Sequence, residues 1–172
     1  MISSDTFSLT DVEQSRFAQV QRLSIEGHKN IMALLPMLTD PSWIIRRSVV
    51  EALADIGDSA VEPLVASLRE QRDSETRIAA VVDALAASKS DLVEKKMMNI
   101  VQDADPAIVA DVAQILGRRR SPSVLTTLVA LTKHSNDNVS VSAIEALGRL
   151  GGRAAVEALI EIISGKNFFR VF

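Results

Sequence analysis

The chain has 172 residues, 47% of them hydrophobic, 24% charged and 3% aromatic, and carries a net charge of −3. That is apolar enough to bury a core and too apolar for a disordered chain, and the acidic balance lacks the basic footprint expected of a nucleic-acid-binding domain. No cysteine is present, so disulfides, thiolate chemistry and Cys-ligated zinc are excluded and a reducing compartment is expected.

In chain order, Met1–Thr10 is polar and has no apolar signal-peptide core. Thr10 with Glu13 forms a capping-box pattern that starts a helix over 11–25, with Phe17, Val20 and Leu23 or Ser24 on its apolar face, stopped by Gly27. Ile31, Leu34, Leu35 and Leu38 predict a second helix at i, i+3, i+4, i+7 spacing. Asp40-Pro41 is read as ending that helix and capping the next, whose stripe is Ile45, Val49, Ala52, Leu53 and Ile56. Gly57 closes it, and Asp58 or Ser59 is expected to cap a helix that buries Val61, Leu64, Val65 and Leu68. Pro63 is expected in its first turn, where a missing N–H costs little.

This layout recurs. Asp73-Ser74, Asp105-Pro106 and Asp137-Asn138 open further copies, and Leu53 to Leu85 is 32 residues, with 31 to Leu116 and 31 more to Leu147. A fixed period of this length marks a stacked repeat array, in which each repeat packs on its neighbours alone. The chain divides into an N-terminus (1–10), an atypical capping repeat (11–39), four repeats over 40–165 (40–71, 72–103, 104–135, 136–165), and the start of a further repeat (166–172). The repeat at Asp73 is worn, with Lys89 at the place of Gly57 and Glu94-Lys95-Lys96-Met97-Met98 on its second helix. No alternating strand pattern occurs. No stretch approaches the ~20 apolar residues of a membrane helix, so no membrane contact and a cytoplasmic setting are expected.

The segment Asp40 to Leu64, with Ile-Arg-Arg-Ser-Val-Val-Glu-Ala-Leu-Ala-Asp-Ile-Gly at its centre, resembles HEAT repeats, and more narrowly their short bacterial form named after phycobilisome lyases. Asp137–Ile163 resembles them nearly as well. The resemblance implies an all-α, right-handed solenoid of antiparallel helix pairs, with first helices on the convex side and second helices on a concave, partner-binding side. The family includes scaffolds, bilin lyase subunits, a di-iron hydroxylase and DNA-repair glycosylases. The hydroxylase uses repeated His-Glu pairs, whereas this chain has only His28 and His134, followed by Lys29 and Ser135. The glycosylases use basic faces with aromatics, which are lacking here.

The expected function is therefore a non-enzymatic module that binds a partner protein, without cofactor or metal and without nucleic acid; the alternative is a bilin lyase-like enzyme or subunit. Candidate contact residues on the second helices are Glu62, Ser67, Arg69, Glu94, Lys95, Met98, Thr127, Lys133, Glu157 and Glu161. The cluster Arg118, Arg119, Arg120 suits an acidic partner, although a helix C-terminus also welcomes cations. At least one of Arg46 and Arg47 reads as a structural residue of the repeat, with Arg77 its counterpart. Trp43 reads as filler between repeats and Met97 as core. Gly148–Gly152 ends a helix, since no strand precedes it and no Lys-Ser/Thr follows for a phosphate loop. Ile160, Ile163, Phe168, Phe169 and Phe172 form an open apolar edge: the chain is a fragment of a longer array, or this end docks on something, through a folded-back tail or weak self-association.

Overall fold

The computed structural model describes residues 9–165. Ten α-helices follow one another, and no strand occurs among the described residues. They are α1 (Asp11–Ile25), α2 (Ile31–Leu34), α3 (Trp43–Ile56), α4 (Asp58–Glu70), α5 (Glu75–Ala87), α6 (Leu92–Ile100), α7 (Pro106–Arg119), α8 (Leu125–Leu131), α9 (Asp137–Leu150) and α10 (Gly152–Ser164). The odd-numbered first helices stack in sequence, α1 on α3, α3 on α5, α5 on α7 and α7 on α9, and the second helices form a layer beside them. This is an α-solenoid. Leu53, Leu85, Leu116 and Leu147, the residues that carry the sequence period, are all fully buried in the seam.

The local signals explain most boundaries. Thr10 accepts from the Glu13 N–H and Glu13 accepts from the Thr10 N–H, closing the capping box. Asp105 accepts from the Ala107 N–H with Pro106 as the first residue of α7. Gly57 and Gly151 end α3 and α9 at φ +74° and +69°, a region in which a Cβ would be strained.

Several expectations need correction. The helix predicted from Ile31 to Leu38 is a four-residue α-turn between 3₁₀ segments, Gly27–Asn30 and Leu35–Thr39. Pro36 has no N–H to continue the α-ladder, yet Ile31, Leu34, Leu35 and Leu38 are still buried. Asp40-Pro41 does not open α3. Ser42 is its N-cap residue, and the Asp40 carboxylate accepts the Ser42 N–H at 2.8 Å and pairs with Arg16 at 3.1 Å. Neither Asp58 nor Ser59 caps α4: Asp58 is its first residue, and its carboxylate accepts the Ser90 hydroxyl from the next repeat. Pro63 is the sixth residue of α4 and so lies in its second turn, not its first.

Polar ties join successive repeats. Arg72 donates to the Leu68 carbonyl and pairs with Asp111 at 2.9 Å. Burial pushes the Asp111 carboxyl above its ordinary value, with Arg72 opposing the shift. Arg46 donates to the carbonyls of Asp40 and Pro41 at 2.6 and 3.0 Å, and Arg77 donates to Gln71 Oε1 at 2.7 Å. Arg46 is therefore a structural residue, although it ties down the loop of its own repeat.

The α7–α9 junction differs from the others. These two helices touch along most of their length, whereas α1, α3, α5 and α7 meet over shorter stretches. The approach depends on Gly117: a Cβ there would lie 2.5 Å from Ala146 Cα and 2.8 Å from its carbonyl oxygen. Ala110, Ala113, Ala143 and Ala146 keep the rest of these two helices small and buried.

Candidate functional site

The second helices bring together part of the expected contact set. Glu62 on α4 pairs with Lys96 on α6, and Arg69 at the end of α4 pairs with Asp103 at 3.0 Å. The N–H of Asp105, ahead of Arg69, holds the Asp103 carboxyl below its ordinary value. Glu94 on α6 accepts the Ser123 hydroxyl from the segment before α8, which lowers its pKa against the opposing effect of burial. The Thr127 hydroxyl lies 3.7 Å from Met98 Sδ. Met98 and Lys95 are exposed, while Met97, one residue away, is core. The result is a polar surface over α4, α6 and α8, bonded across repeat boundaries, with Lys95 and Met98 exposed on α6.

Other members fall elsewhere. Ser67 is buried and its hydroxyl donates to Gln71 Oε1, so it presents nothing to a partner. Lys133 is exposed but lies in the turn after α8. Glu157 pairs with Arg153 along α10 at 2.7 Å, and Glu161 is exposed on the same helix. No hydrogen bond or ion pair among the described residues links these two to the α4–α8 group.

The three arginines have three different roles. Arg118 pairs with Asp83 of the preceding repeat. Arg119 is spent on structure: its guanidinium donates to the carbonyls of Leu85, Ser88 and Ser90, holding the non-helical link that ends α5. Arg120 adopts a left-handed conformation at φ 55° and caps α7. The cluster is thus no single anion site.

Sequence reasoning missed two features. Lys96 completes the pair with Glu62. Trp43 is 62% exposed and is not filler; the Arg47 guanidinium lies 5.7 Å from its ring centroid. The available signal was Arg47 four residues after Trp43, a spacing that stacks side chains on one helix face. Trp43 borders an open groove of about 680 Å3 on the first-helix side, between α3 and α5. Of the expected contact residues only Arg118 reaches it.

His134 Nδ1 accepts the Asn136 N–H at 3.0 Å, a turn contact, and among the described residues no three His, Asp or Glu side chains are grouped as metal ligands would be. No described helix is long and apolar enough to cross a membrane.

The family model described as HEAT repeats matches residues 19–91 and 94–171, nearly the whole paired-helix array. The chain belongs to the HEAT-repeat family. The break between the two matches falls at the start of α6, in the repeat whose link Arg119 holds in place of a glycine. A search of curated proteins found no match. HEAT repeats generally serve as protein-interaction scaffolds.

Proposed function

We propose that this protein is a non-enzymatic binding module that docks a partner protein on the second-helix surface of α4, α6 and α8. The observation that carries the reading is the set of bonds across repeats: Glu62 with Lys96, Arg69 with Asp103, and Glu94 with Ser123. They hold side chains of neighbouring repeats in fixed relation, which lowers the ordering cost of binding. Lys95 and Met98 provide the accessible charge and an adaptable apolar contact. Thr127 on α8 stands against Met98 within the same area. A cytoplasmic setting belongs to the same reading, in keeping with the absence of cysteine.

The test is affinity capture from native lysate with the wild-type chain and with a Lys95→Glu, Met98→Asp variant of unchanged circular dichroism. A protein retained by the wild type and lost with the variant supports the proposal. Identical capture by both overturns it.

A second contact is favoured by one comparison within the chain. Val61, Val65 and Leu68 on α4 are 2%, 5% and 0% exposed, while their repeat counterparts on α10, Val156, Ile160 and Ile163, are 51%, 58% and 57% exposed. Phe168, Phe169 and Phe172 lie outside the described residues. This apolar end supports weak self-association, which light scattering at high micromolar concentration, with an Ile160→Glu control, will detect as a rising mass; a constant monomer mass sinks it.

A further inference from the structure

The groove between α3 and α5 lies on the face opposite the proposed docking surface. One end is marked by Trp43 in the first turn of α3, exposed and flanked by Arg47. The floor is formed by α5, which presents the methyl groups of Ala79, Ala86 and Ala87. At the far end Arg118 reaches in from the C-terminus of α7, beside Asp83.

The charges and dimensions of the groove narrow the ligand. Three guanidiniums, Arg46, Arg47 and Arg118, face two carboxylates, Glu51 and Asp83. Among the described residues Arg46 is bonded only to carbonyls and pairs with no carboxylate. The groove is therefore net positive within a chain of net charge −3. The Arg47–Glu51 and Arg118–Asp83 pairs are exposed, and such pairs contribute so little that their partners exchange readily. The α5 floor from Thr76 to Ala87 measures roughly 17 Å at ~1.5 Å per helical residue, the length of about five residues of extended chain at ~3.3 Å each.

We propose that this groove binds an extended, acidic peptide segment of a partner protein. An apolar side chain of the segment packs between Trp43 and the alanine floor, and an Asp or Glu about four residues away takes Arg118 as a bidentate partner. Indole and alanine supply the desolvated contact area, and the guanidiniums set the charge preference.

Trp43 is the single tryptophan in a chain without tyrosine, so intrinsic fluorescence reports on this groove alone. A library of random displayed heptapeptides is selected on the immobilised full chain, and enriched peptides are synthesised and titrated against Trp43 emission. The expected peptides combine an apolar residue with Asp or Glu three to five positions away, and their binding shifts the emission to the blue. Arg118→Glu, and Ala79→Leu, which fills the floor, each weaken binding at least tenfold with circular dichroism and melting unchanged. Failure to enrich any peptide, enriched peptides without acidic residues, binding that leaves Trp43 emission still, or binding indifferent to both variants would each overturn the proposal.

Discussion

Replacing Gly117 by alanine sets two effects against each other. In a helix interior Ala is favoured over Gly by ~1 kcal/mol. At this position, however, the new Cβ would lie 2.5 Å from Ala146 Cα, 2.6 Å from its Cβ and 2.8 Å from its carbonyl oxygen. Two of those three atoms are backbone, so no rotamer change relieves the overlap. Ordinary contact begins near 3.4 Å, and α7 and α9 must part by close to an ångström along a seam that buries Ala110, Ala113, Ala143 and Leu147. Overpacking of this kind costs ~1–3 kcal/mol and more where the backbone is fixed. A net loss of up to about 2 kcal/mol is expected after the propensity gain is subtracted. Gly148→Ala on α9 is the matched control, since nothing lies within 4 Å of a Cβ there; it is expected to be neutral or to stabilise by up to ~1 kcal/mol. Urea denaturation followed by circular dichroism at 222 nm reads both. If Gly117→Ala is as stable as Gly148→Ala, the close approach of α7 and α9 is wrong.

Leu53→Ala and Leu147→Ala remove fully buried side chains from equivalent seam positions and are each expected to cost ~2–5 kcal/mol; a loss below about 0.5 kcal/mol at both in the same denaturation assay contradicts the register. Arg119→Ala leaves the carbonyls of Leu85, Ser88 and Ser90 without their donor and is expected to destabilise by about 2 kcal/mol, with faster amide exchange over 88–93; unaltered exchange there refutes the tie. Glu13 is held at about 2, from an ordinary 4.5, first by the Ser42 hydroxyl and then by Thr10. A folded-state pKa below the unfolded one adds stability that is present above 4.5 and lost as pH falls toward 2. The melting temperature of Glu13→Gln should therefore approach that of wild type as acid is added across this window, and a constant gap between the two would count against the assignment.

The fold was legible because the period lives in residues whose environment the repeat itself supplies. Leu53, Leu85, Leu116 and Leu147 occupy the same place in each copy and are fully buried there, and Thr10-Glu13, Gly57 and Gly151 act through local hydrogen bonds and φ angles that sequence encodes directly. What escaped depends on how far apart the first helices stand. Trp43 is exposed because α3 and α5 leave a groove beside it, and Gly117 matters because α7 and α9 leave none; neither spacing is written within one repeat. Arg119 was legible as a cation near a helix end, but its carbonyl partners lie 29 to 34 residues away in the chain. Lys96 was hidden for the same reason, since its partner Glu62 sits on the previous second helix. The candidate surface was thus readable as a set of helices, and its membership only in part.

The unequal junctions also give the array a mechanical character. A stacked solenoid is a set of springs in series, and its compliance is dominated by the softest link. The α7–α9 junction, with backbone against backbone at Gly117 and Ala146, is a stiff link. The α1–α3, α3–α5 and α5–α7 junctions meet over shorter stretches, with open grooves on both sides of α3, and are the softer links. Bending of the array is therefore expected to be shared among these first three junctions and to spare the α7–α9 pair.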